Sequence, residues 1–232
     1  MSTVDDTAAA PVVTAVGPGR VNLIGDHTDT TGGLVLPMAI DLATTITGTR
    51  GGDRVILVSH EEPAPAVVPL DVEDPAAVTP GWARYVAGVV AELRPEVGFN
   101  GTVATTLPVG AGLSSSAALE VAVALALGFE GPALDLAHLT QRAEQVASGV
   151  PCGIMDQLSS AAGVAGSALL IDCHELTVDP IPLPDGVEVR VIHSGQARQL
   201  AGSEYAERRA ALEAAEAIVG PLRLIDQTSV LK

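Results

Sequence analysis

A chain of 232 residues has room for one large domain, or for one domain and part of a second. Its 47% hydrophobic content supplies a core and argues against disorder, and 28 acidic against 12 basic residues, a net charge of −16, disfavour a nucleic-acid partner, which needs a basic surface. With Phe 2, Tyr 2 and Trp 1, the core must come from Ala, Val, Leu and Ile, and single-strand binding by base stacking loses its platform.

Met1 to Pro11 is small and acidic, with no positive charge ahead of an apolar stretch, so it reads as a frayed tail and not as a signal peptide. From Val12 to about Val58, β-branched runs alternate with Gly, Asp and Thr clusters, which predicts strands at Pro11 to Val16, Leu34 to Met38 and Thr44 to Thr49. Pro63 to Pro80 predicts one more strand among loops. Trp82, Tyr85, Val86, Val89, Val90 and Leu93 recur at three and four residues, the period of a helix with one apolar face. Thr102 to Leu107 reads as a strand, followed by a Gly-rich loop and a helix over 117 to 128. The apolar run Ala117 to Phe129 is interrupted by Glu120 and is shorter than the ~20 residues a bilayer requires, so it predicts a buried helix and no membrane partner. Leu134 to Ser148 predicts another helix, capped by Asp135. Leu169 to Cys173 and Val187 to Ile192 predict short strands, and Ser203 to Val219 an Ala/Glu/Arg helix. Pro180, Pro182, Pro184 and Gly186 read as a linker or a sharp change of direction, and the residues after Gly186 are too few to bury an independent core. Cys152 and Cys173 provide neither a disulfide scaffold nor a CxxC zinc pair, and the setting they suggest is the reducing cytoplasm.

Chemistry concentrates in Leu107 to Leu119, LPVGAGLSSSAAL, between a strand and a helix. Gly110 and Gly112 let backbone approach a ligand closely, Ser114, Ser115 and Ser116 offer hydroxyls, and the helix start favours an anion such as phosphate. The plainer alternative is a turn with an N-cap. The only lysine is Lys232, so a P-loop and the strand lysine of a protein kinase are both excluded. The dinucleotide pattern GxGxxG fails at Ser115. The charge on a nucleotide must then be met by Mg²⁺, the helix start and arginine.

Three segments together resemble one family. GRVNLIGDHTDTTGGLVLPMAI at Gly19 to Ile40 resembles the galactokinase signature, and LPVGAGLSSSAALEVA at Leu107 to Ala122 resembles the ATP-phosphate loop of the galactokinase, homoserine kinase, mevalonate kinase and phosphomevalonate kinase (GHMP) superfamily. PCGIMDQLSSAAGVAGSALLIDC at Pro151 to Cys173 resembles the galactokinase segment with the catalytic aspartate, and Trp82, Tyr85, Gly88 and SEYAERR at Ser203 to Arg209 are weaker echoes. The resemblance implies Asp156 and Arg20 as the catalytic pair at the sugar hydroxyl, a pairing that keeps the carboxylate ionised and places a guanidinium near the transferring phosphoryl group. It implies Ser116 and Glu144 as Mg²⁺ ligands, and Gly110, Ala111, Gly112, Leu113, Ser114, Ser115 and Ser116 as the ATP cradle. It implies Asp26, His27, Asp29, Gly153 and Tyr205 as sugar contacts. Without the resemblance, Arg20 and Asp156 would read as a structural ion pair, Glu144 as a solvated helix acid and Tyr205 as a packing aromatic.

Two departures bear on specificity. Asp26 replaces the usual Glu and is one methylene shorter, and Thr30 replaces the usual Tyr, so a related hexose, amino sugar or cyclitol competes with galactose as the preferred sugar. The resemblance also implies further sequence beyond Lys232, which leaves premature termination and a complementing C-terminal chain as alternatives to a self-sufficient monomer. The expectation is therefore an α+β protein with the GHMP-kinase-like two-domain architecture. Residues 1–180 would form a complete N-terminal domain, and residues 181–232 the start of an incomplete second. It would transfer the γ-phosphoryl group of Mg-ATP to the anomeric hydroxyl of galactose or a close relative. The rivals are a non-catalytic sugar and ATP binder and a kinase of the mevalonate or homoserine branch; Asp26-His27-Thr28-Asp29 and Met155-Asp156-Gln157 disfavour the latter.

Overall fold

The structure, a computed structural model, describes residues 10–108, 110–193, 195 and 204–226, with the side chains of 204–206 excluded. The reading of the first residues as a tail therefore lies almost entirely outside the described residues, as does the side chain of Tyr205.

The β-branched first segment forms two long strands, β1 (Val12–Asn22) and β3 (Pro37–Arg50), paired antiparallel from Val12 opposite Thr49 to Asn22 opposite Pro37. Between them lies β2 (Leu34–Val35). The single strand expected over Leu34 to Met38 is two, because Val35 pairs with Ile171 in one sheet while Pro37 pairs with Asn22 in another. β4 (Arg54–Ser59), β5 (Ala66–Pro69) and β6 (Phe99–Thr105) complete a five-stranded sheet in the order β1-β3-β6-β4-β5, in which β4 and β6 run parallel. Residues alternate across its faces, and Ile46, Val55, Leu57, Val68 and Phe99 point into the core.

α1 (Ala83–Leu93) and α2 (Ser115–Ala126) cover that face, and α3 (Ala133–Ser148) packs against both and against α4 (Met155–Ala162). α2 is apolar nearly all round because sheet and helices enclose it. It begins two residues earlier than expected, since Ser115 and Ser116 already belong to its first turn. Gly17 makes the close approach possible: a Cβ there would stand 2.0 Å from the Ala118 carbonyl oxygen. The Asp135 cap is corrected. Pro132 holds the N-cap position of α3, and Asp135 sits within the first turn, where a carboxylate complements the helix dipole without a capping hydrogen bond.

A second sheet, β2-β7-β8, is formed with β7 (Ser167–Asp172) and β8 (Thr177–Pro182). The proline run reads as a linker in sequence, but Pro180 and Pro182 lie within β8, opposite Leu169 and Ser167. β8 is an edge strand, and an edge position tolerates a residue without an N–H. The strand expected over Val187 to Ile192 is not formed. Those residues have no regular structure, and Val187, Val191 and Ile192 are exposed, with no strand among the described residues paired to them. α5 (Glu204–Val219) forms as expected and is followed by a 3-10 turn at Leu222–Leu224. Among the described residues, no helix is long and apolar enough to cross a membrane.

Candidate active site

The site is assembled where β1, the loop before α2 and the first turn of α4 meet. The β1–β3 register slips between Pro18 and Arg20, a break that re-aims side chains, and Arg20 resumes the pairing opposite Ala39 just after it. Its backbone N–H donates to the Leu113 carbonyl at 3.1 Å, which ties the strand to the loop. Arg20 is 8% exposed, and its guanidinium has two neighbours. Nε and Nη2 lie 2.8 and 2.6 Å from Asp156 Oδ1, and Nη1 donates to the Gly112 carbonyl at 2.9 Å. Asp156 stands in the first turn of α4, and its Oδ2 accepts a 2.6 Å hydrogen bond from Ser114 Oγ. Its side chain retains 30% exposure, so lone pairs remain open to the cleft.

The loop bends through left-handed backbone at Gly110 and Gly112, each with φ of 75°, and at Ser114 with φ of 57°. Gly110, Gly112, Ser114, Ser115 and Ser116 line a cleft of about 580 Å³. Ala111 and Leu113 instead pack inward with Val21, Leu107 and Ala118, so they anchor the loop rather than face a ligand. Ser116 Oγ donates to Glu144 Oε1 on α3 at 2.8 Å, and the Gln157 amide N–H donates to Glu144 Oε2. Beneath them Glu120 is fully buried, and both its carboxylate oxygens lack a hydrogen-bond partner. Beyond the loop the cleft runs to Trp82 and Tyr85.

Asp26 is exposed and accepts from Asn22 Nδ2 at 2.9 Å. His27 has φ of 64°, and its Nε2 lies 3.4 Å from an Arg208 nitrogen of α5. Asp29 packs onto Gly153 so closely that a Cβ at Gly153 would lie 2.0 Å from Asp29 Oδ2.

Two signatures match this chain: the Galactokinase galactose-binding signature over residues 5–50 and the GHMP kinases N terminal domain over residues 84–178. A galactokinase of Chloroflexus aggregans is 45% identical over 226 residues, covering 91% of this chain and 56% of the relative. A galactokinase of Homo sapiens is 41% identical over 219 residues, covering 88% of this chain and 56% of the relative. The solved structure of Lactococcus lactis galactokinase complexed with galactose superposes with a TM-score of 0.79 at 31% identity, covering 93% of this chain and 58% of that one. This chain belongs to the galactokinase family of GHMP kinases. It spans somewhat over half the length of the galactokinases it matches.

Against that galactokinase background, the residues singled out in the sequence fall into two groups. Arg20, Asp156, the loop from Gly110 to Ser116 and Glu144 form one connected constellation. The second group is less connected: Asp29 packs onto Gly153 and feels the charges of Asp156 and Arg20, Asp26 is bonded to Asn22, and the backbone of Tyr205 lies in α5, which reaches His27 through Arg208 and the Pro151 carbonyl through Arg209. Sequence reasoning missed Gln157, Glu120 and Arg208. A Gln and a Glu spaced for burial carry no signal until the partner carboxylate is known.

The site's acids are shifted upward. Burial, then the Asp156 charge, raises Asp29 from 3.8 to about 6. Burial, then Asp156, raises Glu144 from 4.5 to about 7 against the hydrogen bonds of Ser116 and Gln157. Burial, then Glu144, raises Glu120 well above its ordinary 4.5. Burial, then Glu144, pushes the Tyr85 phenol up to about 12, so it stays a hydroxyl donor.

Proposed function

We propose that this chain carries the phosphoryl-transfer site of a sugar 1-kinase, moving the γ-phosphoryl group of ATP to the anomeric hydroxyl of galactose or a close relative. The carrying observation is that Asp156 is held by Arg20 on one oxygen and by the phosphate loop's Ser114 on the other. A carboxylate is thereby set at the junction between a sugar side and a phosphate side. In this reading residues 1–180 act as the domain that holds both reactants, with 181–232 beginning a second.

Asp29, His27 and Asp26, with Gly153 backbone beside them, bind the sugar's ring hydroxyls and turn its anomeric hydroxyl towards Asp156. An open lone pair of Asp156 accepts that proton as the sugar oxygen bonds to the γ-phosphorus and the bond to the β,γ-bridging oxygen breaks, releasing ADP. The Arg20 guanidinium stabilises charge on the transferring group and holds Asp156 Oδ1 in place. The loop amides from Gly110 to Ser116, at the positive end of α2, receive the phosphates. The apolar wall of Trp82 offers a face for the base. Most of the rate in such a reaction comes from positioning and charge stabilisation.

Ser116 Oγ and Glu144 Oε1, 2.8 Å apart on the cleft wall, are two hard oxygen donors and fit a divalent cation that keeps most of its waters. Mg²⁺ arriving with the nucleotide would neutralise phosphate charge there. The proposal includes a cytoplasmic setting and a monomeric chain, with a complementing C-terminal chain as the alternative assembly.

The test is sugar-dependent ADP release with Mg-ATP, run beside Asp156→Asn and a panel of hexoses, amino sugars and cyclitols. Release requiring a sugar and Asp156 supports the reading, and the panel reads the effect of Asp26 and Thr30. Sugar-independent release, or release unchanged in Asp156→Asn, overturns it.

A further inference from the structure

Ser114 occupies a backbone position that suits glycine. Its φ of 57° and ψ of 47° are left-handed, a conformation glycine adopts freely and a residue with a Cβ adopts at a cost. The other left-handed positions among the loop's described residues, 110 and 112, are glycine. Nor does Ser114 serve as an ordinary helix cap. It holds the N-cap position of α2, yet its side chain makes no capping hydrogen bond.

The hydroxyl points elsewhere. Ser114 Oγ donates its one proton to Asp156 Oδ2 at 2.6 Å, within the short range typical of a hydroxyl given to a carboxylate. With that proton engaged, the hydroxyl has none left for a phosphate oxygen. The opposite carboxylate oxygen, Oδ1, is taken by Arg20, whose remaining nitrogen holds the Gly112 carbonyl. Arg20 alone holds the carboxylate from one edge, through a single oxygen. Ser114 holds the second oxygen, so the plane is clamped from both edges. Ser116, two residues on, is bonded to Glu144, so one short stretch of loop sets Asp156 and the candidate cation ligands together.

We propose that Ser114 is a positioning residue rather than a phosphate ligand: its left-handed backbone aims the hydroxyl at Asp156 and fixes the plane of that carboxylate relative to the phosphate loop. The proposal rests on the kinase reading only in taking Asp156 as the group that meets the sugar hydroxyl.

Two substitutions separate the backbone from the hydroxyl. Ser114→Ala keeps the Cβ and loses the hydroxyl, while Ser114→Gly loses both and relaxes the backbone. Ser114→Gly is expected to melt roughly 2–4 °C above Ser114→Ala. Both are expected to lose roughly tenfold to a hundredfold in kcat, with the KM for ATP within about threefold of the parent. A Ser114→Gly variant with full kcat would overturn the proposal, and so would a raised KM for ATP at unchanged kcat, the mark of a phosphate ligand. A second measurement needs no turnover. Thermal midpoints of the parent chain, Ser114→Ala, Asp156→Ala and the double variant form a cycle, in which Ser114→Ala should lower the midpoint less when Asp156 is already gone. Equal shifts in both backgrounds would refute the coupling even if the parent chain phosphorylates no sugar.

Discussion

Replacing Gly153 with alanine should separate the sugar side of the site from the fold. A Cβ at Gly153 would lie 2.0 Å from Asp29 Oδ2, 2.3 Å from its Cγ and 2.9 Å from its Cβ. Ordinary contact begins at 3.4 Å, so the carboxylate must retreat by roughly 1.4 Å, the difference between 3.4 and 2.0 Å. Overpacking of this kind costs about 1–3 kcal/mol, or roughly 2–12 °C in Tm at 2–4 °C per kcal/mol. In the proposed reading Asp29 is a charged hydrogen-bond partner of the sugar, so displacing it should also remove about 1.5–3 kcal/mol of binding, roughly tenfold to a hundredfold in Kd. Calorimetric titration with galactose reads the second effect and a thermal melt the first. In an Asp29→Ala background the carboxylate contacts are gone and only the 2.9 Å approach to the Cβ remains, so Gly153→Ala should then cost clearly less than in the parent. Parental galactose affinity in a folded Gly153→Ala variant, or an equal loss of stability in both backgrounds, would refute the reasoning.

The buried acids predict an unusual dependence of stability on pH. Asp29 and Glu144 titrate in the folded state at about 6 and about 7, above their ordinary 3.8 and 4.5, and Glu120 is raised as well. The folded state therefore binds more protons than the unfolded one, and stability falls as pH rises from about 4 through 7; for Asp29 alone the loss is on the order of 3 kcal/mol. Urea midpoints should be higher at pH 5 than at pH 8, and Glu120→Gln should raise the pH 8 value and flatten the profile; a midpoint that rises steadily with pH would contradict this. Gly17→Ala should lower Tm by several degrees, about 1–3 kcal/mol, because its Cβ meets the Ala118 carbonyl carbon and oxygen at 2.9 and 2.0 Å. An unchanged melt would show that α2 can shift. Arg20→Met should destabilise the chain by about 1–3 kcal/mol, since it strips both the Asp156 carboxylate and the Gly112 carbonyl of a donor, and denaturant titration would measure it.

Much of the site is legible in the sequence because phosphate chemistry constrains local sequence. Two glycines and three serines between a strand and an apolar helix announce an anion site, and Arg20 and Asp156 lie inside segments with a resemblance to guide them. Less legible are features decided by partners far away in the chain. Ser114 reads as one more phosphate hydroxyl, and only the arrival of α4 from forty-two residues downstream brings the Asp156 carboxylate to which its hydroxyl donates. Gln157 and Glu120 read as ordinary helix residues until burial beside Glu144 gives them a role or a cost. In the second sheet, local rules mislead twice. Prolines at 180 and 182 speak against a strand, yet an edge position accepts them, while Val187 to Ile192 has strand composition and no pairing neighbour among the described residues.

The central claim is that residues of this chain alone bring a sugar hydroxyl and a γ-phosphoryl group together at Asp156. Phosphorus NMR of the chain incubated with Mg-ATP and galactose tests it most directly. The account predicts a new phosphomonoester resonance split by the anomeric proton, growing as the γ-phosphate signal of ATP declines, and absent with Asp156→Asn. Growth of inorganic phosphate alone, or a spectrum of intact ATP from a folded sample, would contradict it.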